Sequence, residues 1–275
     1  MEATSKPVVL ITGASSGIGK TCAEHLHAQG YRVYGTSRRA AAAPSSDGFR
    51  LIAMDVTSED SVAQAIELIL SREGRLDVVF NNAGDGIAGA VEDTSIEEAR
   101  QQLDTNFFGV LRVCRAALPV MRKQGAGLIL NVSSLGGLVG LPFQGLYSAS
   151  KFAVEGMTEV LRMEVRPFGV RVALIEPGDF RTGFTAQRRK VRAAQGSNAY
   201  TARFDKALAT MERDENGGAD PIAVARLLER LINTRSPRPR YKVGGFFQKL
   251  SVGPLRKILP QKLFEYLLMS SYGIA

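Results

Sequence analysis

The sequence predicts an α/β fold, a single doubly wound domain on a parallel seven-stranded sheet with a C-terminal helical extension. Three observations carry this. Short Val/Ile/Leu-rich runs alternate with helix-length segments almost to the end of the chain. The runs are apolar throughout, as strands covered on both faces must be. Gly- and Asn-rich stretches follow the runs, at the carboxyl ends where open parallel sheets bind ligands.

The elements follow in order. PVVLIT (7–12) is the first strand, and a helix covers about 17–29. YRVYGT (31–36) and RLIAMDV (50–56) are the second and third strands, with AAAAP (40–44) and SSDG reading as a loop between them. A helix near 58–72 leads to the fourth strand, LDVVFN (76–81), and one long helix over about 95–123 leads to the fifth, LILNVSS (128–134). The segment 147–166 is helical, VRVALIEP (170–177) is the sixth strand, 220–234 is helical and RYKV (240–243) closes the sheet. Right-handed crossovers wind such a chain over both faces of its sheet. Region 178–219 is long, polar and Gly-containing, and reads as an irregular flap. The expected organisation is a catalytic unit over 1–244 and an extension of the same domain over 245–275.

Composition bounds the function. The 275 residues are 45% hydrophobic and 23% charged, the balance of a soluble globular chain. No apolar run reaches the roughly 18 residues that span a bilayer, and the N-terminus lacks the parts of a secretion signal. Cys22 and Cys114 are far apart and read as buried thiols in a reducing compartment, so a cytoplasmic location is expected. His25 and His27 share one early helix at positions expected to face solvent, and no metal site is expected. The net charge of +8 raises nucleic acid and membranes as partners, but the basic residues form no nucleic-acid motif and a well-solvated surface is the simpler reading.

TGASSGIG (12–19) lies between a strand and a helix. Gly13 permits the turn, Gly17 a close approach to phosphate, and Gly19 the packing of the helix, with Ser15, Ser16 and Ile18 between them. The helix N-terminus offers free N–H groups and partial positive charge to a pyrophosphate. Sites that prefer NAD place a carboxylate after the second strand. Here the strand ends Thr36-Ser37-Arg38-Arg39, and guanidinium groups suit a phosphate dianion, so NADP(H) is expected with Arg38 or Arg39 as its contact. After the third strand, Asp55 can accept from an adenine amino group while Val56 packs on the ring; Asp55 could equally cap the helix that begins near Ser58.

With TGASSGIG, Asn81-Asn82-Ala83-Gly84, Asn106, Ser134 and Tyr147-x-x-x-Lys151 in order, the chain resembles the short-chain dehydrogenases/reductases, a Rossmann-fold family, over about residues 7–182. SLGGLVGLPFQGLYSASKFAVE (134–155) is most similar to the 17β-hydroxysteroid and retinol dehydrogenase branch. Tyr147 and Lys151, four apart on a helix, lie one above the other. The ammonium can approach the phenol and a nicotinamide ribose, and a nearby cation lowers a phenol's pKa. Tyr147 then gives its proton to a carbonyl oxygen, and acts as base in reverse. The resemblance implies the same roles. It also implies Ser134, rather than the adjacent Ser133, as holder of the substrate oxygen. It implies an Asn106 that holds a water leading to the lysine, with packing as the alternative role. Asn81 would tie strands together, while Asn82, Ala83 and Gly84 approach the cofactor. Pro177, Gly178 and Thr182 would contact the nicotinamide. A serine-hydrolase reading fails, because G-x-S-x-G is absent.

Leu135, Leu138, Val139, Leu141, Pro142 and Phe143 follow the serine and can line an apolar pocket. The expected function is an NADP(H)-dependent oxidoreductase interconverting a hydrophobic ketone or aldehyde, of steroid, retinoid or fatty-chain type, and its alcohol. Arg188, Arg189, Lys190 and Arg192 permit an alternative substrate, a 3-oxoacyl thioester. An epimerase or dehydratase, and a non-catalytic NADP-binding sensor or scaffold, are the other readings. Apolar residues of the tail, among them Phe246, Phe247, Leu250 and Val252 and then Leu263, Phe264, Leu267 and Leu268, fit a lid over the cleft, a membrane-surface contact or a subunit contact. The resemblance implies a homodimer or homotetramer.

Overall fold

The computed structural model describes residues 6–39, 48–196, 199–245 and 255–275. Its main sheet has seven parallel strands: β1 (Val8–Ile11), β2 (Arg32–Ser37), β3 (Arg50–Ala53), β4 (Val78–Asn81), β6 (Gly127–Val132), β7 (Val170–Pro177) and β9 (Arg240–Val243). The order β3-β2-β1-β4-β6-β7-β9 places the reversal between β1 and β4. A crevice opens beyond the carboxyl ends at such a reversal. Two further strands, β5 (Ile87–Ala88) and β8 (Arg189–Lys190), pair on their own above that edge.

β1, β4 and β6 are buried along their whole length, so both faces need covers. Leu10, Val79 and Ile129 meet the apolar sides of α2 (Glu59–Glu73), α4 (Gly109–Gln124) and α5 (Gly145–Glu164). Val9, Ile11, Phe80 and Leu130 meet α1 (Gly17–Ala28) and α8 (Ile222–Ile232). In α2, Val62, Ala65, Ile66 and Ile69 make one inward stripe at helical spacing. The Ser58 hydroxyl accepts from the Ser61 N–H at its start, and Gly74, at φ +68°, stops it. Burying each such Leu or Ile contributes about 1.5–3 kcal/mol.

Several expectations need correction. The long helix over 95–123 is three pieces: α3 (Ile96–Leu103), one π-helical turn (Asp104–Phe108) and α4. The wider turn delivers Asn106 to the interior, where its amide bonds Asp85 and Ser150. The third strand ends at Ala53, because Asp55 accepts from the Thr57 N–H and hydroxyl in a tight turn. Ser58, not Asp55, therefore caps α2. The flap is not irregular: it contains α6 (Phe184–Gln187) and the 16-residue α7 (Thr201–Asn216). Phe204, Ala207, Leu208 and Met211 give α7 an apolar stripe at 3.6 spacing. His25 does not face solvent freely, since its Nε2 lies 2.7 Å from Glu229 Oε2 on α8. Both cysteines are buried and free of disulfides, as expected, and burial pushes the Cys114 thiol up to about 12.

The tail ends in α9 (Gln261–Ser271). Met269, Tyr272 and Ile274 pack with Phe143 and the inward stripe of α7. Leu263 and Leu267 stay exposed. The apolar residues Phe246, Phe247, Leu250 and Val252 lie outside the described residues. Among the described residues, no helix is long and apolar enough to cross a membrane.

Candidate active site

The glycine turn closes the crevice from below. Gly13 and Gly17 have φ of +67° and +54°, a region that favours glycine. A Cβ on Gly13 would meet Ala83 Cα at 2.9 Å, and one on Gly17 would meet Thr182 Cβ at 3.3 Å. A Cβ on Gly19 would strike the Gly13 carbonyl oxygen at 2.3 Å. The turn thus lies against the two other predicted cofactor segments. Thr12 Oγ1 fixes one of them by accepting from the Asn82 and Ala83 N–H groups, and Asn82 Nδ2 donates back to the Thr12 carbonyl at 2.9 Å. Ser16 is the N-cap residue of α1, its side chain makes no capping bond, and Ser15 and Ser16 are exposed. Ile18 packs at the edge of the core on the α1 side. This is a cradle of open N–H groups shaped without side chains, and it fits a dinucleotide pyrophosphate.

Arg38 and Arg39 stand exposed after β2. Neither guanidinium pairs with a carboxylate among the described residues. Asp55 and the buried Val56 follow β3 on the same edge, and Val56 packs against Gly109. Gly178 donates to the Val243 carbonyl at 2.8 Å, holding the segment after Pro177 to β9. Thr182 Oγ1 accepts from the Phe184 N–H.

The predicted catalytic residues converge. Gly84 has Asn106 Oδ1 and Lys151 Nζ as its nearest neighbours. Asn106 Oδ1 accepts from the Asp85 N–H at 2.9 Å, and its Nδ2 donates to the Asp85 carbonyl and to Ser150 Oγ, each at 3.0 Å. Lys151 Nζ donates to the Val132 carbonyl at 3.0 Å and lies 5.9 Å from the Tyr147 ring centre. Ser134 caps the short turn Leu135–Gly137, accepting from the Gly136 N–H at 3.0 Å. A Cβ on Gly136 would lie 3.2 Å from the Tyr147 ring and 3.5 Å from Ser134 Oγ, so the two side chains flank one space beside that glycine. Ser133 instead points to the back of Gly137. Asn81 bonds Asn131 across the sheet at 2.8 Å, and Asn131 bonds Thr158 of α5, which confirms the strand-tying geometry read for it.

The electrostatics differ from expectation at one group. Tyr147 keeps some exposure, yet burial pushes its phenol up to about 12, against a downward pull from Ser134. Burial outweighs any pull from the Lys151 ammonium, which is itself buried and brought down to about 8. Asp85 and Glu155 counter that fall. Desolvation outweighs the cation at this separation.

At the flap, Phe184 escaped the sequence reading, and Arg188 and Arg189 of the cluster singled out there have carboxylate partners. The Phe184 ring lies 6.1 Å from the Tyr147 ring. Arg188 is buried and ion-paired to Glu215 of α7, and Arg189 reaches Asp85 at 3.2 Å. Arg188 is therefore turned inward to a carboxylate, while Arg189 pairs with Asp85 near the surface. No local pattern marks these long-range pairs.

Comparison with known proteins agrees with this geometry. The family profile described as short chain dehydrogenase matches residues 7–193. A 3-ketodihydrosphingosine reductase of Bacteroides thetaiotaomicron is 45% identical over 97% of this chain and 98% of its own. Human 17-beta-hydroxysteroid dehydrogenase type 1 is 41% identical over 66% of this chain and 58% of its own. A short-chain dehydrogenase structure from Streptomyces avermitilis superposes with a TM-score of 0.83 at 33% identity, covering 98% of both chains. An alcohol dehydrogenase from Thermococcus sibiricus, complexed with 5-hydroxy-NADP, superposes with a TM-score of 0.70 at 26% identity over 88% of this chain and 97% of its own.

Proposed function

Since the chain belongs to the short-chain dehydrogenases, an oxidoreductase family acting on CH–OH groups with NAD(P)(H), we propose that it is an NADPH-dependent reductase of a long-chain aliphatic ketone. The carrying observation is the convergence of Ser134 and Tyr147 on one space, with Lys151 and Asn106 behind it. The bound nicotinamide supplies or takes up the hydride. Ser134 and Tyr147 hold the carbonyl oxygen, and Tyr147 gives it a proton as the alkoxide charge develops. Lys151, charged below about pH 8, steadies the phenolate left behind. Asn106 fixes the Gly84–Asp85 backbone beside the ammonium.

Arg38, Arg39 and the absence of a carboxylate after β2 support NADPH over NADH. Asp55 and Val56 would take the adenine, Gly13 to Gly19 the pyrophosphate, and Asn82 to Gly84 with Pro177, Gly178 and Thr182 the nicotinamide half. A long aliphatic ketone is the substrate type in the name of the 45% relative, and Phe143 with the α7 stripe supplies apolar surface on the flap side. The pairing of Arg188 with Glu215 and of Arg189 with Asp85 weakens the acyl-thioester alternative. The packing of Met269, Tyr272 and Ile274 supports the tail as a lid. On the outer faces of α4 and α5, Val160 and Met163 are exposed beside a groove that includes Leu111, Leu118 and Met157; a second copy of the chain is the proposed cover.

An NADPH-oxidation screen over 3-ketodihydrosphingosine, steroid, retinoid and 3-oxoacyl carbonyls tests this reading. The long-chain ketone is expected to give the highest kcat/KM. A preference for steroids or thioesters, or for NADH, would overturn the corresponding part.

A further inference from the structure

Along α5, Tyr147, Lys151, Glu155 and Glu159 recur every fourth residue, which keeps them on one slowly drifting face. The face thus carries the proton donor, the cation and then two carboxylates. Glu155 is buried, and Glu176 on β7 has no exposed surface. Arg240 of β9 stands between them. Its Nε lies 3.0 Å from Glu155 Oε2 and 3.2 Å from Glu176 Oε1, while its Nη2 turns to the half-exposed Glu159. One guanidinium nitrogen therefore faces two buried carboxylates. Hydrogen bonds do not offset the excess charge. Glu155 Oε1 and both oxygens of Glu176 have no hydrogen-bond partner, and the Ser133 hydroxyl beside Glu155 meets none in good geometry. The remaining charges near the pair are Lys242, toward Glu176, and Lys151, toward Glu155.

Two carboxylates that share one guanidinium nitrogen away from water repel each other, and one proton between them relieves both the repulsion and the missing hydrogen bonds. We propose that Glu155 and Glu176 hold one proton between them in the folded protein, and that Glu155, carrying the remaining charge, is a positioning residue that keeps the Lys151 ammonium charged while Tyr147 transfers its proton. Burial pushes Glu176 up to about 7 and raises Glu155, and Glu155 counters the fall that burial imposes on Lys151. The shared proton stands on the geometry alone; the positioning role rests on the hydride-transfer reading above.

Glu176→Gln tests the proton without any substrate. The folded protein holds that proton up to about pH 7, whereas an unfolded glutamate releases it near 4.5. The folded state therefore binds more protons inside this window, and stability falls as pH rises through it. The wild-type Tm is expected to fall across the window more steeply than that of Glu176→Gln. A protonated-carboxyl infrared band at about pH 6 is expected in the wild type and lost in the variant. Parallel Tm profiles, or a band unchanged by the substitution, overturn the shared proton.

Glu155→Gln tests the positioning role. Removing the anion lets the Lys151 pKa fall, so the alkaline limb of reductive kcat/KM is expected to move down by about half to one pH unit. Glu155→Asp is expected to restore it. In Glu176→Gln, where Glu155 keeps its charge beside Lys151, the limb is expected to stay near its wild-type position. An unmoved limb in folded Glu155→Gln, or a limb in Glu176→Gln that falls as far as that of Glu155→Gln, overturns the positioning role. A protein that turns over no carbonyl overturns it too, together with the hydride-transfer reading, and leaves the stability result for the proton pair intact.

Discussion

The two walls of the cleft are built differently. The sheet-side wall is held by buried polar bonds across separate elements: Asn81 to Asn131 to Thr158, Thr12 to Asn82, Asn106 to Asp85 and Ser150, and Lys151 to Val132. The flap-side wall, α6, α7 and the end of the tail, rests on apolar contact among Phe143, Phe204, Met211 and Ile274 and on the Arg188–Glu215 and Arg189–Asp85 ion pairs. Buried hydrogen bonds fix direction, whereas apolar contact tolerates sliding. Proton transfer needs fixed direction, and admission of a substrate chain needs give. The groups with proposed chemical roles fall on the first wall, and the proposed role of the second is to set which chain enters.

Substitutions on each wall can break this contrast. Tyr147→Phe should lower turnover by about 10²–10⁴-fold. NADPH affinity, read by fluorescence titration, should stay unchanged, and retained turnover would remove the phenol from the mechanism. Asn131→Leu leaves Asn81 and Thr158 without their partner in the sheet-side wall. It should cost about 2–3 kcal/mol, measured by chemical denaturation. Arg38→Ala, at the exposed end of β2, should reduce the NADPH-to-NADH efficiency ratio by about 10-fold and leave stability unchanged. If the ratio holds, Arg39 carries the contact, and the double variant should show the loss. The smallest effect is expected on the flap-side wall. Ile274→Ala should cost about 1 kcal/mol, because the chain end can settle inward. It should raise KM for a long-chain ketone without changing kcat. An equal loss of kcat would show that this wall too is fixed for chemistry.

The legibility of the sequence follows the same contrast. The strands, the glycine turn and the Tyr147–Lys151 pair were readable because each is set by neighbours within one helix turn or one strand-to-helix junction. The α7 helix was missed although its stripe of Phe204, Ala207, Leu208 and Met211 has helical period, since polar residues between them diluted the signal. The π-helical turn at Asn106 had only one hint, a poor helix former inside a helix. Its cause is a bond to Asp85, 21 residues away. The raised Tyr147 was not readable, because burial depends on what the rest of the chain places around the ring.

By itself the sequence determined the α/β order of elements, the phosphate cradle at Gly13–Gly19 and the spacing that stacks Tyr147 over Lys151. These are consequences of backbone freedom and helical period, both local. Only the tertiary structure decided that Glu155, Glu176 and Arg240, up to 85 positions apart, meet behind the lysine. Charge and desolvation act through space rather than along the chain, so the protonation of the site was fixed only when the sheet and its helices closed around it.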